Sequence, residues 1–542
     1  MGLHRKPAYA ILASLVCLSM ILRYPRSGHE LGVDSFVIHG LVQVVLDSQY
    51  AAWIVNPLSL FGIYPLSHPS GPMLILASMS SLGGVSVEGS ILLLDFIVAF
   101  LGIMGAFVMA REIHPDVRVM LVVAFVFAMS PRFITPLVWQ TPTRALFTAL
   151  MPWFIWSLMV LRRRPGMTQA MMFSTILFLM MVSHRLAVIV VVVIIAFVIA
   201  ALFITGARLV RTLYPERMLR TSVRRLTRIT WWLLTLGVGA YLIVFSEVLD
   251  AYQRGEVAQG TDVISQLQNL GVSLARSAGL LLPLAFLGIG TVIHARNKDL
   301  RHPWLIAVFL AFLPTLSLRQ YTGAYIVPFA ALFIGLGVIW LIDRLEQRPS
   351  LRRAAGAGIV VFAVASSAWV VAYDLSLLVD IDPEIYAGAV YLRHTSGETF
   401  VANSGILGAQ LHAISGLPYM PIGGATTARQ GPEILAFGFL KPEDMTIRLI
   451  PVTQMTIEDD SIFVLEDMNL EQVWALLLGR PIDDSPVEAS LGMYNIRFYV
   501  EDQHYIGGFA AFGNVYYSPF GTTVASSRYR VYSSSMFTVY SV

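Results

Sequence analysis

Long apolar runs separated by short polar stretches dominate the first 373 positions of the chain. Runs such as 186–206 and 322–342 are close to the roughly 20 residues that a helix needs to cross a bilayer. Read this way, the pattern predicts spans at about 8–22, 86–110, 119–131, 145–161, 168–183, 186–206, 230–246, 277–293, 303–318, 322–342 and 355–373. The segment 53–82 is also apolar, but Asn56-Pro57, Tyr64-Pro65, Pro69 and Gly71-Pro72 interrupt it. Each proline removes a backbone donor, and lipid offers the freed carbonyl no replacement. That segment reads as short helices lying along the outer membrane face, within one long loop over 23–85.

From position 374 the pattern changes. Short apolar runs at 399–402, 461–465 and 496–500 read as strands, and 385–393 and 470–478 read as helices. The last stretches, 528–532 and 537–540, read as a closing hairpin. Alternating strands and helices predict a small α/β domain. The expected fold is therefore an α-helical polytopic membrane domain over 1–373, with about eleven spans, followed by an extracytoplasmic α/β domain over 374–542.

Composition agrees. The chain is 56% hydrophobic and 13% charged, with a mean hydropathy of +0.69, where an ordinary soluble domain carries about 25% charged residues. The one cysteine, Cys17, excludes a disulfide within the chain and a multi-cysteine metal site. The first apolar run lacks a small-residue cleavage pattern and reads as a retained helix. The net charge of +3 hides a split. Residues 374–542 carry 8 Lys+Arg against 19 Asp+Glu, and the remainder carries 29 against 15. With the N-terminus in the cytoplasm, 21 basic residues of the membrane part fall in cytoplasmic segments and 8 in outer ones, the bias expected of a cell-membrane protein. This leaves the acidic tail outside. The seven arginines from Arg208 to Arg228 read as a cytoplasmic loop obeying the same rule, where they could touch anionic lipid headgroups. They do not argue for a nucleic-acid partner.

Ionisable residues at the mouth of a membrane bundle are costly to hold and are candidate chemistry. In the first outer loop these are Glu30, Asp34 and His39. If the loop is helical near Glu30, then Glu30 and Asp34 share a face at i,i+4 spacing. Two carboxylates there could hold a hard divalent cation, Mg or Mn. Alternatively, Asp34 alone could take a proton from an attacking hydroxyl, or simply cap a helix starting at Ser35. A second group, Ser130-Pro131-Arg132 with Gln140 to Arg144, offers guanidinium forks that suit phosphate oxygens. A third is Ser183-His184-Arg185, in a tight turn where His184 could carry a proton or donate to phosphate. A fourth is Arg319-Gln320-Tyr321 with Tyr325, and a fifth is the long outer loop from Glu247 to Arg276. Four outer arginines, Arg132, Arg144, Arg185 and Arg319, run against the inside bias, and together they suggest a phosphate-bearing lipid. No Walker loop, dinucleotide glycine fingerprint or His-Glu-x-x-His helix is present.

The order of these features resembles the GT-C superfamily of membrane glycosyltransferases. Asp34-Ser35-Phe36-Val37-Ile38-His39 is similar to the acidic first-loop neighbourhood of oligosaccharyltransferase catalytic subunits. The turn at Ser130-Pro131 followed by Thr143-Arg144, and Arg319-Gln320-Tyr321 before a proline-containing span, resemble protein O-mannosyltransferases and aminoarabinose transferases. The resemblance covers the layout of residues 8–345. It implies transfer of a sugar, with inversion, from a polyprenyl-phosphate or polyprenyl-diphosphate carrier to an acceptor outside the membrane, whether protein, glycan or lipid. Asp34, with Glu30, would be the catalytic or metal-binding acid. Arg144, Arg319, His184, Arg185 and Tyr321 would hold the donor phosphate. Two departures stand out. Gln140 and Thr143 occupy the second loop where an acidic residue is expected, which weakens the case for a metal, and the Trp-Trp-Asp acceptor motif is absent. The competing readings are a transporter or lipid flippase, for which Asp95 is the main mid-span charge, and a non-catalytic assembly subunit.

Overall fold

The computed structural model describes residues 5–25, 27–49, 70–184, 276–277, 279–294, 323–376, 378, 380–394, 399–402, 405–417, 419–421, 496–502 and 529–541, with single positions in 187–198 and 304–312. In chain order the helices are α1 (Arg5–Arg23), α2 (Val33–Ser48), α3 (Gly71–Gly83), α4 (Val87–Ile113), α5 (Val117–Ala128), the short α6 (Pro131–Ile134), α7 (Thr143–Arg163), α8 (Met167–Ser183), α9 (Pro283–His294), α10 (Gly323–Arg344), α11 (Pro349–Ser376) and α12 (Pro383–Arg393). There follow β1 (Thr399–Ala402), α13 (Gly405–Ser415), β2 (Tyr419–Pro421), β3 (Ile496–Asp502), β4 (Arg530–Ser533) and β5 (Phe537–Ser541). The chain divides into two compact units. One comprises 1–24, 95–138 and 142–377, and the other 25–94, 139–141 and 378–542.

Four helices among the described residues are long and apolar enough to cross a membrane: α4, α7, α10 and α11. The segments α5 and α6, which continues to Leu137 as a 3-10 turn, pass the same test as a pair. Shorter apolar helices stand at α1, α8 and α9, where the sequence predicted spans. The expected span at 230–246 lies outside the described residues, and those at 186–206 and 303–318 are described only at scattered positions.

In the first unit α10 is the central element, buried from Gly323 to Ile339. It meets α9 at two glycines. A methyl group on Gly288 would overlap the Phe333 carbonyl oxygen, and one on Gly337 would overlap that of Leu284. Such close approach of backbones supplies the van der Waals contact that holds helices together in lipid, where no hydrophobic force acts between them. At one end of α5, Asp116 caps the helix by accepting the Arg118 N–H at 2.8 Å. Arg118 also reaches Asp343 near the end of α10 at 2.7 Å.

The span expected over 119–131 is helical over Val117–Ala128 and ends at the turn read at Ser130-Pro131. The axis turns by 65° between α5 and the segment from Pro131 to Leu137. Pro131 forces Ser130 into an extended conformation, φ −63 and ψ 121, which ends the helix. The carbonyls released by the break are recaptured. Ser367 Oγ donates to Met129 O at 2.5 Å. Arg23 donates to Ala128 O at 3.2 Å and to Phe133 O at 3.4 Å, with its guanidinium 5.0 Å from the Phe133 ring centroid. Arg23, read from sequence as an outer-loop cation, is thus the fully buried last residue of α1.

The second unit holds a five-stranded mixed sheet in the order β2-β1-β3-β5-β4. The β1–β2 and β1–β3 pairs are parallel, and β3–β5 and β4–β5 are antiparallel. Strands or helices stand at the expected 385–393, 399–402 and 496–500, and the terminal hairpin is β4–β5. The stretches 461–465 and 470–478 lie outside the described residues. Its core gathers Leu392 from α12, Leu407 and Leu411 from α13, Val500 from β3, Phe537 and Val539 from β5, and Phe36 from α2. Gly388 lets α12 settle against the Phe537 ring, which a methyl group would overlap. The 16-residue helix α2, some 350 positions earlier in sequence than the sheet, is therefore part of the same core.

Candidate functional site

The second unit contains a polar network around the start of α2. The helix begins at Val33, with Gly32 as N-cap at φ 85 and no side-chain cap. A residue other than glycine is strained at that φ. Asp34 lies in the first turn and is exposed. It does not cap a helix starting at Ser35. Glu30 precedes the helix, so the i,i+4 relation expected of Glu30 and Asp34 does not form. Glu30 has no exposed surface. Its Oε1 faces His39 Nδ1 at 2.5 Å, and its Oε2 accepts the Ser35 hydroxyl at 2.6 Å.

Two further segments join this network. The Ser35 hydroxyl oxygen accepts the Thr141 N–H at 3.1 Å, and the Leu31 N–H reaches Trp139 O at 2.9 Å. Gln140 lies beside Gly32, its Oε1 3.4 Å from where a Cβ would stand. Trp139 itself has φ 52, a left-handed conformation rare for a bulky residue, and its indole N–H donates to Glu88 O at 3.0 Å. Glu88, in the first turn of α4, accepts the Glu30 N–H and faces His29 Nδ1, both at 3.1 Å. The His29 ring stacks on Tyr386 of α12 at 3.9 Å. His412 of α13 packs against Gly40 of α2, where a methyl group would be 2.5 Å from the ring. Its Nδ1 is 2.6 Å from Leu417 O, and burial pushes its pKa below the ordinary imidazole value.

Among the described residues no group of three or more His, Cys, Asp or Glu is arranged to hold a metal. Around Asp34 the donor set fits a cation poorly. Glu30, the nearest carboxylate in sequence, is engaged on both oxygens.

The first unit carries the cationic candidates. Arg144 lies half-buried in the first turn of α7, its carbonyl accepting Thr148 Oγ1 at 2.9 Å. His184 follows the last turn of α8, 6.2 Å from the Phe147 ring, and Phe147 in turn meets Tyr325 of α10 edge-on at 5.2 Å. One end of this unit therefore brings together the start of α7, the end of α8 and the start of α10. Near the start of α10, Gly323 leaves room for Arg132 and Ser277, which a methyl group would meet at 3.1 and 2.6 Å. Arg276 pairs with Asp374 at 3.0 Å. Arg185, Arg319 and Tyr321 lie outside the described residues, as does the loop 247–275.

Sequence reasoning had singled out Glu30, Asp34, His39, Arg144 and His184. It missed Glu88, His412 and the pairing of Ser35 with Thr141. Ser35 and Thr141 are 106 positions apart, and nothing in either local pattern marks the pairing.

The fold is similar to that of several solved glycosyltransferases. Three solved structures illustrate it. An oligosaccharyltransferase from Archaeoglobus fulgidus in the apo form has 12% identity and a TM-score of 0.57, over 92% of this chain and 69% of that one. ArnT from Cupriavidus metallidurans bound to undecaprenyl phosphate has 11% identity and a TM-score of 0.54, over 99% and 98%. The arabinofuranosyltransferase AftD from Mycobacteria, in a mutant form, has 16% identity and a TM-score of 0.50, over 100% of this chain and 42% of that one. The Archaeoglobus enzyme is also known in complex with an inhibitory peptide and a dolichol-phosphate, and with Zn and sulfate. No family model and no curated protein matches the sequence.

Proposed function

We propose that this protein is a glycosyltransferase that moves a sugar from a polyprenyl-phosphate or polyprenyl-diphosphate carrier to an acceptor on the outer face of the membrane. The observation that carries this reading is the whole-chain likeness to ArnT, a structure bound to undecaprenyl phosphate. It is supported by an exposed carboxylate, Asp34, on a helix start anchored from several sides. In this reading Asp34 takes the proton of the attacking acceptor hydroxyl. The new bond forms at the anomeric carbon as the bond to the carrier phosphate breaks, with inversion. Arg144, Arg319, Arg185, His184 and Tyr321 neutralise and orient the departing phosphate. Residues 374–542 form an extracytoplasmic α/β domain that contributes to acceptor binding, and the N-terminus is cytoplasmic.

The resemblance also raised Mg or Mn. The residues around Asp34 do not build a cage for such an ion, so no step is routed through one. A transporter or flippase would be favoured by broken helices at matching places in two halves. Among the described residues the break at Ser130 has no such counterpart.

The test uses full-length protein in nanodiscs with a panel of polyprenyl-phosphate monosaccharides. Release of free polyprenyl phosphate is measured by mass spectrometry. Asp34→Asn is expected to lower kcat by about a hundredfold or more, and Arg144→Ala to raise the donor KM by roughly tenfold. An Asp34→Asn protein with full turnover refutes the proposal.

A further inference from the structure

We propose that Glu30 and His39 form a positioning pair that fixes the first turn of α2, and with it Asp34, without making or breaking bonds themselves. This rests on the role proposed for Asp34, and it assigns Glu30 a task different from the cation ligand or acid that spacing alone suggested.

A carboxylate without exposed surface is costly unless both oxygens are engaged, and those of Glu30 are engaged by two turns of one helix. Ser35 belongs to the first turn of α2 and His39 to the second, at 2.6 and 2.5 Å. The pair therefore braces the start of a helix that has no side-chain cap of its own. The negative charge also sits at the end of α2 where the helix dipole is positive. From Ser35 the brace extends to the Thr141 N–H. On the other side of the same backbone, Glu88 holds the Glu30 N–H, and His29 is held between Glu88 and Tyr386.

Trp139, at φ 52, carries the conformational cost of this arrangement, and Gly32, at φ 85, meets it without a side chain. Strained backbone persists where its surroundings over-determine it, and it gathers where geometry matters to function. Asp34 is the exposed side chain between these fixed points. Glu30 faces inward, where neither acceptor nor cation reaches it.

The experiment uses full-length protein in nanodiscs with Glu30→Gln, Glu30→Ala, His39→Ala and Ser35→Ala. The first readout needs no substrate. Carbodiimide-driven amidation, followed by peptide mass spectrometry, is expected to modify Asp34 and to spare Glu30 in the unaltered protein. Amide hydrogen exchange in residues 33–37 is expected to rise by about tenfold in Glu30→Ala and His39→Ala. In Glu30→Gln it stays near the starting value, because an amide still offers an acceptor to His39 and a donor to the Ser35 oxygen.

The second readout is turnover. Glu30→Gln is expected to keep kcat within about fivefold, whereas the alanine variants lose about 10- to 100-fold in kcat at nearly constant KM. Equal losses in Glu30→Gln and Glu30→Ala would mark Glu30 as a reacting or ligating group and overturn the inference. So would amidation of Glu30 in the native protein, or unchanged exchange in the alanine variants. If Glu30→Ala and His39→Ala do not fold, Ser35→Ala decides: faster exchange confined to 33–37 supports the pair, and unchanged exchange refutes it. Full turnover by Asp34→Asn would sink the functional reading while leaving the amidation and exchange results to judge the pair.

Discussion

At the scale of single residues, the backbone sets sharper limits than the side-chain chemistry. Gly32 at φ 85 admits no other residue without strain. Gly32→Ala is expected to destabilise the second unit by about 1–3 kcal/mol, read as a lower melting temperature with faster exchange at α2. His412 makes a pH prediction. Burial lowers its folded pKa below the ordinary value of 6.5, so the unfolded chain binds the proton first. The stabilisation is complete above about pH 6.5 and is lost as pH falls below it. Replacing His412 by Gln should flatten the melting temperature between about pH 7 and 5. Glu384 runs the same way at lower pH. Hydrogen bonds from Ser535 hold its carboxyl below the ordinary value of 4.5, so that contribution fades as pH drops below about 4.5. Glu30, Asp34 and His39 were legible as a constellation because ionisable residues are sparse in this chain. Which of them faces outward was not, because one residue of register decides it, and α2 begins at Val33.

At the scale of elements, apolar run length located most helices, and proline position located the breaks. The helices α1, α4, α7, α8, α10 and α11 stand where the runs predict them, since a segment that must satisfy its backbone without water has little choice but to be helical. The run over 119–131 ends at Pro131, where the turn was legible, but composition does not show that Arg23 and Ser367 await the freed carbonyls. Arg23→Leu is expected to cost about 2–4 kcal/mol by leaving those carbonyls unmet, measured by thermal unfolding of purified protein in detergent. Ser367→Ala, which removes one hydrogen bond, should cost about 1 kcal/mol. Between α9 and α10 the two glycines permit backbone contact. Gly288→Leu should therefore separate the helices and lower stability by more than about 2 kcal/mol.

At the scale of the whole molecule, both units are assembled from separated stretches of chain. The core of the sheet unit includes Phe36, from a helix near the N-terminus. A fragment of residues 374–542 lacks that helix and should expose apolar surface. Compared with the same region in the full-length protein, it is expected to be more readily cleaved by protease and to bind a hydrophobic dye. The sequence by itself determined that this is a membrane chain, where most of its helices run, and that its last third mixes strands with helices. Those properties follow from local periodicity, run length and the cost of burying charge in lipid. Only the tertiary structure decided that Glu30 turns inward while Asp34 stays exposed, that Arg23 repairs a broken helix, and that Ser35 meets Thr141. Such pairings join residues a hundred positions apart, and no local pattern encodes the register that brings them together.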